Sequence, residues 1–97
     1  MAEVLRWTSK KSTLALSGDL DRDSLLIFWK RRKTLLAGKR VLDISALKRV
    51  DSAGLALLTH IYQQQLTSQV PILITGASED VKTLITLYNL NEIIPVF

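Results

Sequence analysis

Few residues in this chain are equipped for chemistry, and their spacing argues against catalysis. His60 is the single histidine and cysteine is absent, which excludes thiolate nucleophiles, disulfides, and thiolate or paired-histidine metal sites together. A serine triad would have to join Ser52, His60 and an acid. Ser52 and His60 fall on one predicted helix, about 12 Å apart along its axis, so they cannot touch. No Gly-x-Gly-x-x-Gly and no phosphate loop ending Gly-Lys-Ser/Thr is present. Asp19, Asp43 and Asp51 could gather at one sheet edge to hold magnesium. The plainer expectation is that they cap helices and satisfy turn amides. Asp19, Asp21 and Asp23 alternate as in a calcium loop, but Ser24 stands where that loop needs glycine and Lys30 where it needs a bidentate acid. No catalytic residue, metal ligand or cofactor site is therefore expected, and the protein reads as a non-enzyme.

Ser52 can instead be modified. A phosphate there would add roughly −1.5 to −2 charges and three acceptor oxygens at a helix N-terminus. The helix dipole tolerates that charge. Asp51 alongside, and any partner pressed on the same surface, would not, so binding could be switched off. The plain alternative is that Ser52 only caps the helix and touches the partner, and the residues alone do not separate the two.

The elements that position these residues follow from the apolar pattern. Residues 4–7 and 13–17 alternate in part around the polar stretch Thr8-Ser9-Lys10-Lys11-Ser12, predicting an antiparallel hairpin with Trp7 as a packing anchor. A strand ending at Gly18 leads to a helix opening near Asp21, whose acids suit the positive helix end. Over residues 23–36, Leu25, Phe28, Trp29, Arg32 and Leu36 follow helical spacing, with Leu26 and Leu35 on the flanks and Gly38 as the stop. Residues 40–44 form an apolar strand carrying Asp43, and a polar link then leads to Asp51-Ser52, the residue types that start a helix. Gly54 leaves room for a close approach to that first turn. The turn itself falls at the carboxyl end of the strand, where open α/β folds bind things.

The helix predicted over residues 52–68 has two faces. Leu55, Leu58, Tyr62 and Leu66, widened by Leu57 and Ile61, form the band toward the sheet. The opposite arc carries Ser52, Ala56, Thr59 and Gln63, with His60 and Gln64 further round. That arc is uncharged, whereas free surfaces usually carry charges and interface centres lack them. It reads as a partner-binding face, with Asp51 at its start. Beyond it, residues 70–76 predict a buried strand with Pro71 at its edge. Ser78 caps a third helix with Val81, Leu84, Ile85 and Tyr88 inward, Asn89 takes the left-handed cap, and the apolar tail 90–97 packs as a last extended segment.

Composition agrees with a single globular domain over residues 1–97. Apolar residues make up 47% and charged ones 23% of 97, so disorder is not expected. The opening residues show no basic segment followed by an apolar one, and no apolar run approaches the roughly 20 residues that span a bilayer, so neither a signal peptide nor a membrane span is expected. Net charge is +4, but the one dense basic run, Lys30-Arg31-Arg32-Lys33, lies on a helix without interleaved aromatics. It reads as a solvated face rather than a nucleic-acid site.

Asp43-Ile44-Ser45 followed by Asp51-Ser52-Ala53-Gly54-Leu55 resembles the signature of the STAS family (sulfate transporter and anti-sigma factor antagonist domains). Gly18-Asp19-Leu20-Asp21, Leu87-Tyr88-Asn89-Leu90 and Ile94-Pro95-Val96-Phe97 extend the resemblance over nearly the whole chain. It implies a single α/β STAS-type domain: a mixed, mostly parallel sheet with an N-terminal antiparallel hairpin and about three to four helices.

Two functions follow from the resemblance. In STAS antagonists of anti-sigma factors, the serine at the place of Ser52 is phosphorylated by a kinase-like partner. In the subgroup serving the Mla phospholipid ABC transporter of Gram-negative bacteria, the STAS domain is a cytoplasmic accessory subunit. There it supports the assembly and activity of the ATPase and, through it, outer-membrane lipid asymmetry. The hairpin with Trp7, Leu16-Ser17-Gly18-Asp19-Leu20-Asp21 and Val50 through Leu58 look most like this subgroup, although it often has threonine and glycine where Ser52 and Ala53 stand. The resemblance then implies a transporter ATPase as partner, within a complex with permease and substrate-binding subunits. It implies a place at the inner membrane only through that complex, and no nucleic acid.

Overall fold

The computed structural model describes residues 3–67 and 71–96. Its elements are β1 (Arg6–Lys10), β2 (Thr13–Leu20), α1 (Leu25–Leu36), β3 (Val41–Val50), α2 (Ser52–Leu66), β4 (Leu73–Thr75) and α3 (Glu79–Leu87). The strands form one sheet in the order β1-β2-β3-β4, with β1 antiparallel to β2 and the other pairs parallel. This is the mixed sheet the sequence predicts, with three helices.

Alternation sets the layers. Leu14, Leu16, Leu42, Ile44 and Ile74 are buried and share one core with Phe28, Leu36, Leu55, Leu58, Ile61, Val81 and Ile85 from the helices. Trp7 joins this layer, its ring edge-on to Phe28 at 5.7 Å. The register puts Lys10, Thr13, Val41 and Leu73 in one cross-strand row, and Thr8, Ala15, Asp43 and Thr75 in the next. None of these is buried, so the helices pack on one sheet face and the other faces water.

Four expectations are corrected. The hairpin turn is two residues, not five, because Lys11 adopts φ 55° and pairing continues to Lys10↔Thr13. β3 does not end at Ile44: residues 46–50 pair with β2 through two register shifts, so the supposed polar link is strand. Its polar side chains fit this stretch because β4 pairs only with residues 41–43. The strand at 73–75 is half-buried, with Leu73 43% exposed on the open sheet face. Lastly, the buried band of α2 is Gly54, Leu55, Leu57, Leu58 and Ile61, while Tyr62 lies at its edge and Leu66 is 52% exposed. Leu57 and Ile61 face inward as expected, and Gly54 joins them where β2 approaches closely. Residues 68–70, to which the sequence assigns the end of that helix and the start of the next strand, lie outside the described residues, as does Phe97.

The C-terminal ends of α1 and α3 follow the predicted chemistry, whereas α1 begins at Leu25 with no acid in its first turn and Tyr88 is 52% exposed instead of inward. Gly38 leaves α1 at φ 73°, with the Lys39 N–H donating to the Leu36 carbonyl. Asn89 closes α3 at φ 57°, while Asn89 and Leu90 donate to Thr86 and Ile85, the paired bonds of a Schellman cap. The tail then returns to the sheet, where Val96 bridges Ile74.

Candidate partner-binding site

The site begins where β3 hands over to α2. Asp51 is extended and caps α2, its Oδ1 accepting from the Gly54 N–H at 2.9 Å. Its Oδ2 accepts from the Arg22 N–H at 3.1 Å, in the turn that opens α1. One carboxylate therefore fixes two helix starts. Asp21 does similar work locally: its Oδ1 accepts from Asp23 and Ser24 N–H, while Ser24 Oγ accepts from the Asp21 N–H. The Ser24 amide is the main reason the Asp21 carboxyl titrates below the usual value of 3.8.

What approaches Gly54 is the protein's own backbone. A Cβ there would sit 2.3 Å from the Leu20 carbonyl oxygen, so the glycine lets α2 close onto β2. This leaves Ser52 at the outer corner of the helix start, exposed, its hydroxyl without a hydrogen-bond partner among the described residues. Ala56 and Gln63 follow it on the exposed side, with His60 and Gln64 beyond. Thr59 is half-buried at the margin, its hydroxyl donating to the Leu55 carbonyl at 2.9 Å. Ser52, Ala56, Thr59 and Gln63 thus share one uncharged helix face, and half-buried Asp51 caps its start.

The three acids set apart as cation candidates are not brought together. Asp19 is buried and accepts from the Glu3 N–H, Asp43 accepts from the Ser45 N–H, and Asp51 caps as described. Each is committed to a different backbone amide. Ser52 and His60 also remain separate, at the two ends of the first two turns of α2.

A cluster at the seam of α1 and α2 escaped the sequence reading. Arg32, on the apolar stripe of α1, lays its guanidinium 3.6 Å from the Trp29 ring centroid and donates to the Trp29 carbonyl at 2.8 Å. The His60 ring meets the same tryptophan, centroid to centroid 4.9 Å. An arginine three residues after a tryptophan on an apolar stripe is the sequence signal for such a stack.

The family model described as "Mlab, STAS domain" matches residues 3–95. The chain belongs to this STAS family. It is 41% identical over 90 residues to the intermembrane phospholipid transport system binding protein MlaB of Escherichia coli, covering 93% of each chain. The MlaB of Shigella flexneri matches to the same extent. Among solved structures, the anti-sigma factor antagonist SpoIIAA in its unphosphorylated form superposes with a TM-score of 0.70 at 13% identity, covering 97% of this chain and 88% of that one. The phosphorylated form from Bacillus gives 0.66 at 12% identity, covering 97% and 91%. At those identities the SpoIIAA likeness is one of fold: the STAS fold is common to both. No described helix is long and apolar enough to cross a membrane.

Proposed function

We propose that this chain is the STAS subunit of an intermembrane phospholipid transport system, a non-enzymatic module of residues 1–97 that binds the transporter's ATPase and supports its assembly and activity. The reading rests on the 41% identity to MlaB along 93% of both chains. In this role Ser52, Ala56, Thr59 and Gln63 form the contact surface, and Asp51 holds the helix that presents them. The subunit works on the cytoplasmic side and meets the inner membrane only through the complex with permease and substrate-binding subunits. Neither nucleic acid nor a cofactor enters this function.

The physical support is the character of that surface. It is a rigid helix face with no lysine, arginine or carboxylate from Ser52 to Thr67, shallow at Ala56, and anchored by two backbone bonds to Asp51. Uncharged, preorganised surfaces lose little on desolvation and suit interface centres.

One observation favours a second reading. The free, exposed hydroxyl of Ser52 stands at a helix N-terminus, where a phosphate is electrostatically tolerated. A kinase-like partner that modifies Ser52 would make the same face a phosphorylation-controlled switch. Gentle purification of the tagged chain from its host, followed by native mass spectrometry, tests both. An ABC ATPase with its permease is the expected result. A kinase-like ATPase together with one phosphate on Ser52 would replace the transporter reading with the second.

A further inference from the structure

The seam between α1 and α2 adds a charged end to the uncharged face. Arg32 is half-buried, fixed flat on Trp29 and tethered to the Trp29 carbonyl. Among the described residues no carboxylate pairs with it. His60, which rests on the same tryptophan, is exposed on α2 one turn beyond Ala56. Trp29, Arg32 and His60 therefore continue the docking arc across the seam onto α1.

The chemistry of that end is specific. Guanidinium is a planar fork of donors suited to bidentate recognition of a carboxylate. Stacking and the tether remove much of the rotamer freedom that an exposed arginine would lose on binding, so the group is preorganised. The acids Asp19, Asp21 and Asp23, on the segment that leads into α1, do not pair with it. Asp19 and Asp21 serve backbone amides. A carboxylate that pairs with Arg32 would therefore come from a partner.

We infer that Trp29, Arg32 and His60 form an anchor point of the docking face, and that the partner protein presents an aspartate or glutamate side chain to Arg32. The inference rests on the proposed ATPase reading and deepens it by naming the chemistry of the facing surface. Arginine and tryptophan together are the residue types that dominate binding energy at interface centres. Here they sit beside a face that supplies shape but no charge. His60 borders the same spot and offers a ring N–H to the incoming carboxylate.

Arg32→Met tests this, because methionine keeps an apolar stem over Trp29 and removes the donors and the charge. The full chain is co-expressed with its transporter ATPase, and affinity is measured by titration calorimetry for the parent, Arg32→Met and Ala56→Arg. The expected result is a loss of at least about ten-fold for Arg32→Met, near 1.4 kcal/mol, with the melting temperature and far-UV circular dichroism of the free chain unchanged. Parent-like affinity for Arg32→Met alongside weakened Ala56→Arg overturns the anchor and leaves the α2 face standing. Parent-like affinity for both overturns the face and the anchor together. Should Arg32→Met also destabilise the free chain, the parent's salt response decides. An affinity that falls several-fold between about 0.05 and 0.5 M salt supports a charge contact, and one that does not move overturns it. Retention on vesicles of anionic phospholipid that Arg32→Met abolishes, with ATPase affinity unchanged, would assign Arg32 to a lipid surface and overturn the proposal.

Discussion

Asp51 accepts from Gly54 with one carboxylate oxygen and from Arg22 with the other, tying the start of α2 to the start of α1. The docking helix is thereby fixed in position by a half-buried residue at its start. Loss of an N-cap acid costs about 1 kcal/mol, with a range of roughly 0.5–2. Asp51→Ala is expected at the upper end, because the Arg22 amide also loses its acceptor. Asp51→Asn keeps one acceptor oxygen and converts the other to a donor, so it should fall between. Urea unfolding ranks the three, and an Asp51→Asn chain as stable as the parent would show that the bond to Arg22 contributes nothing.

Gly54→Ala opposes two effects. Alanine is favoured over glycine inside a helix by roughly 1 kcal/mol. Against that, the new Cβ would lie 2.3 Å from the Leu20 carbonyl oxygen, a backbone atom that cannot rotate away. The clash is expected to win, with net destabilisation of about 1–3 kcal/mol. Thermal unfolding at or above the parental temperature would mean that β2 and α2 separate without cost.

Ser52→Glu and Ala56→Arg place charge on the exposed face without touching the core. Each is expected to weaken the partner about ten-fold or more while leaving circular dichroism and melting temperature as they were. Titration calorimetry with the ATPase checks this. Unchanged affinity for both variants removes the α2 face from the interface.

Asp21 supplies a pH dependence. Its carboxyl is held below 3.8, chiefly by the Ser24 amide, so the folded pKa lies under the unfolded one. Linkage then gives stability that is fully present above the unfolded value and is lost as pH falls through the folded one. Asp21→Asn retains an acceptor for the turn but no titrating group, so its stability should fall less steeply below about pH 4. Parallel acid-unfolding curves for the two chains would contradict this role for Asp21.

Much of this molecule could be read in one dimension, because its rules are local. Asp51 before an apolar helix is a cap wherever the chain goes, and Asn89 tolerates φ 57° because its short polar side chain suits that region. Period-two and period-3.6 patterning placed Leu14, Leu16, Phe28 and Leu58 inward for the same reason. The exposed positions of Ser52, Ala56 and Gln63 follow from helical geometry alone once their neighbours are known to be apolar.

Pairings between distant segments were decided only by tertiary structure. Residues 46–50 carry no strand pattern, since two register shifts break the alternation and β4 stops short of them. Asp51 reaches Arg22 across 29 positions, through a backbone amide that every residue type but proline would offer. Gly54 faces Leu20 and not a visitor, and Arg32 meets His60 only through Trp29, across a seam between two helices. The physical reason is common to all four. Propensity and periodicity act along the chain, whereas a strand partner, a shared acceptor, a close approach or a ring stack depends on which surfaces the fold brings together.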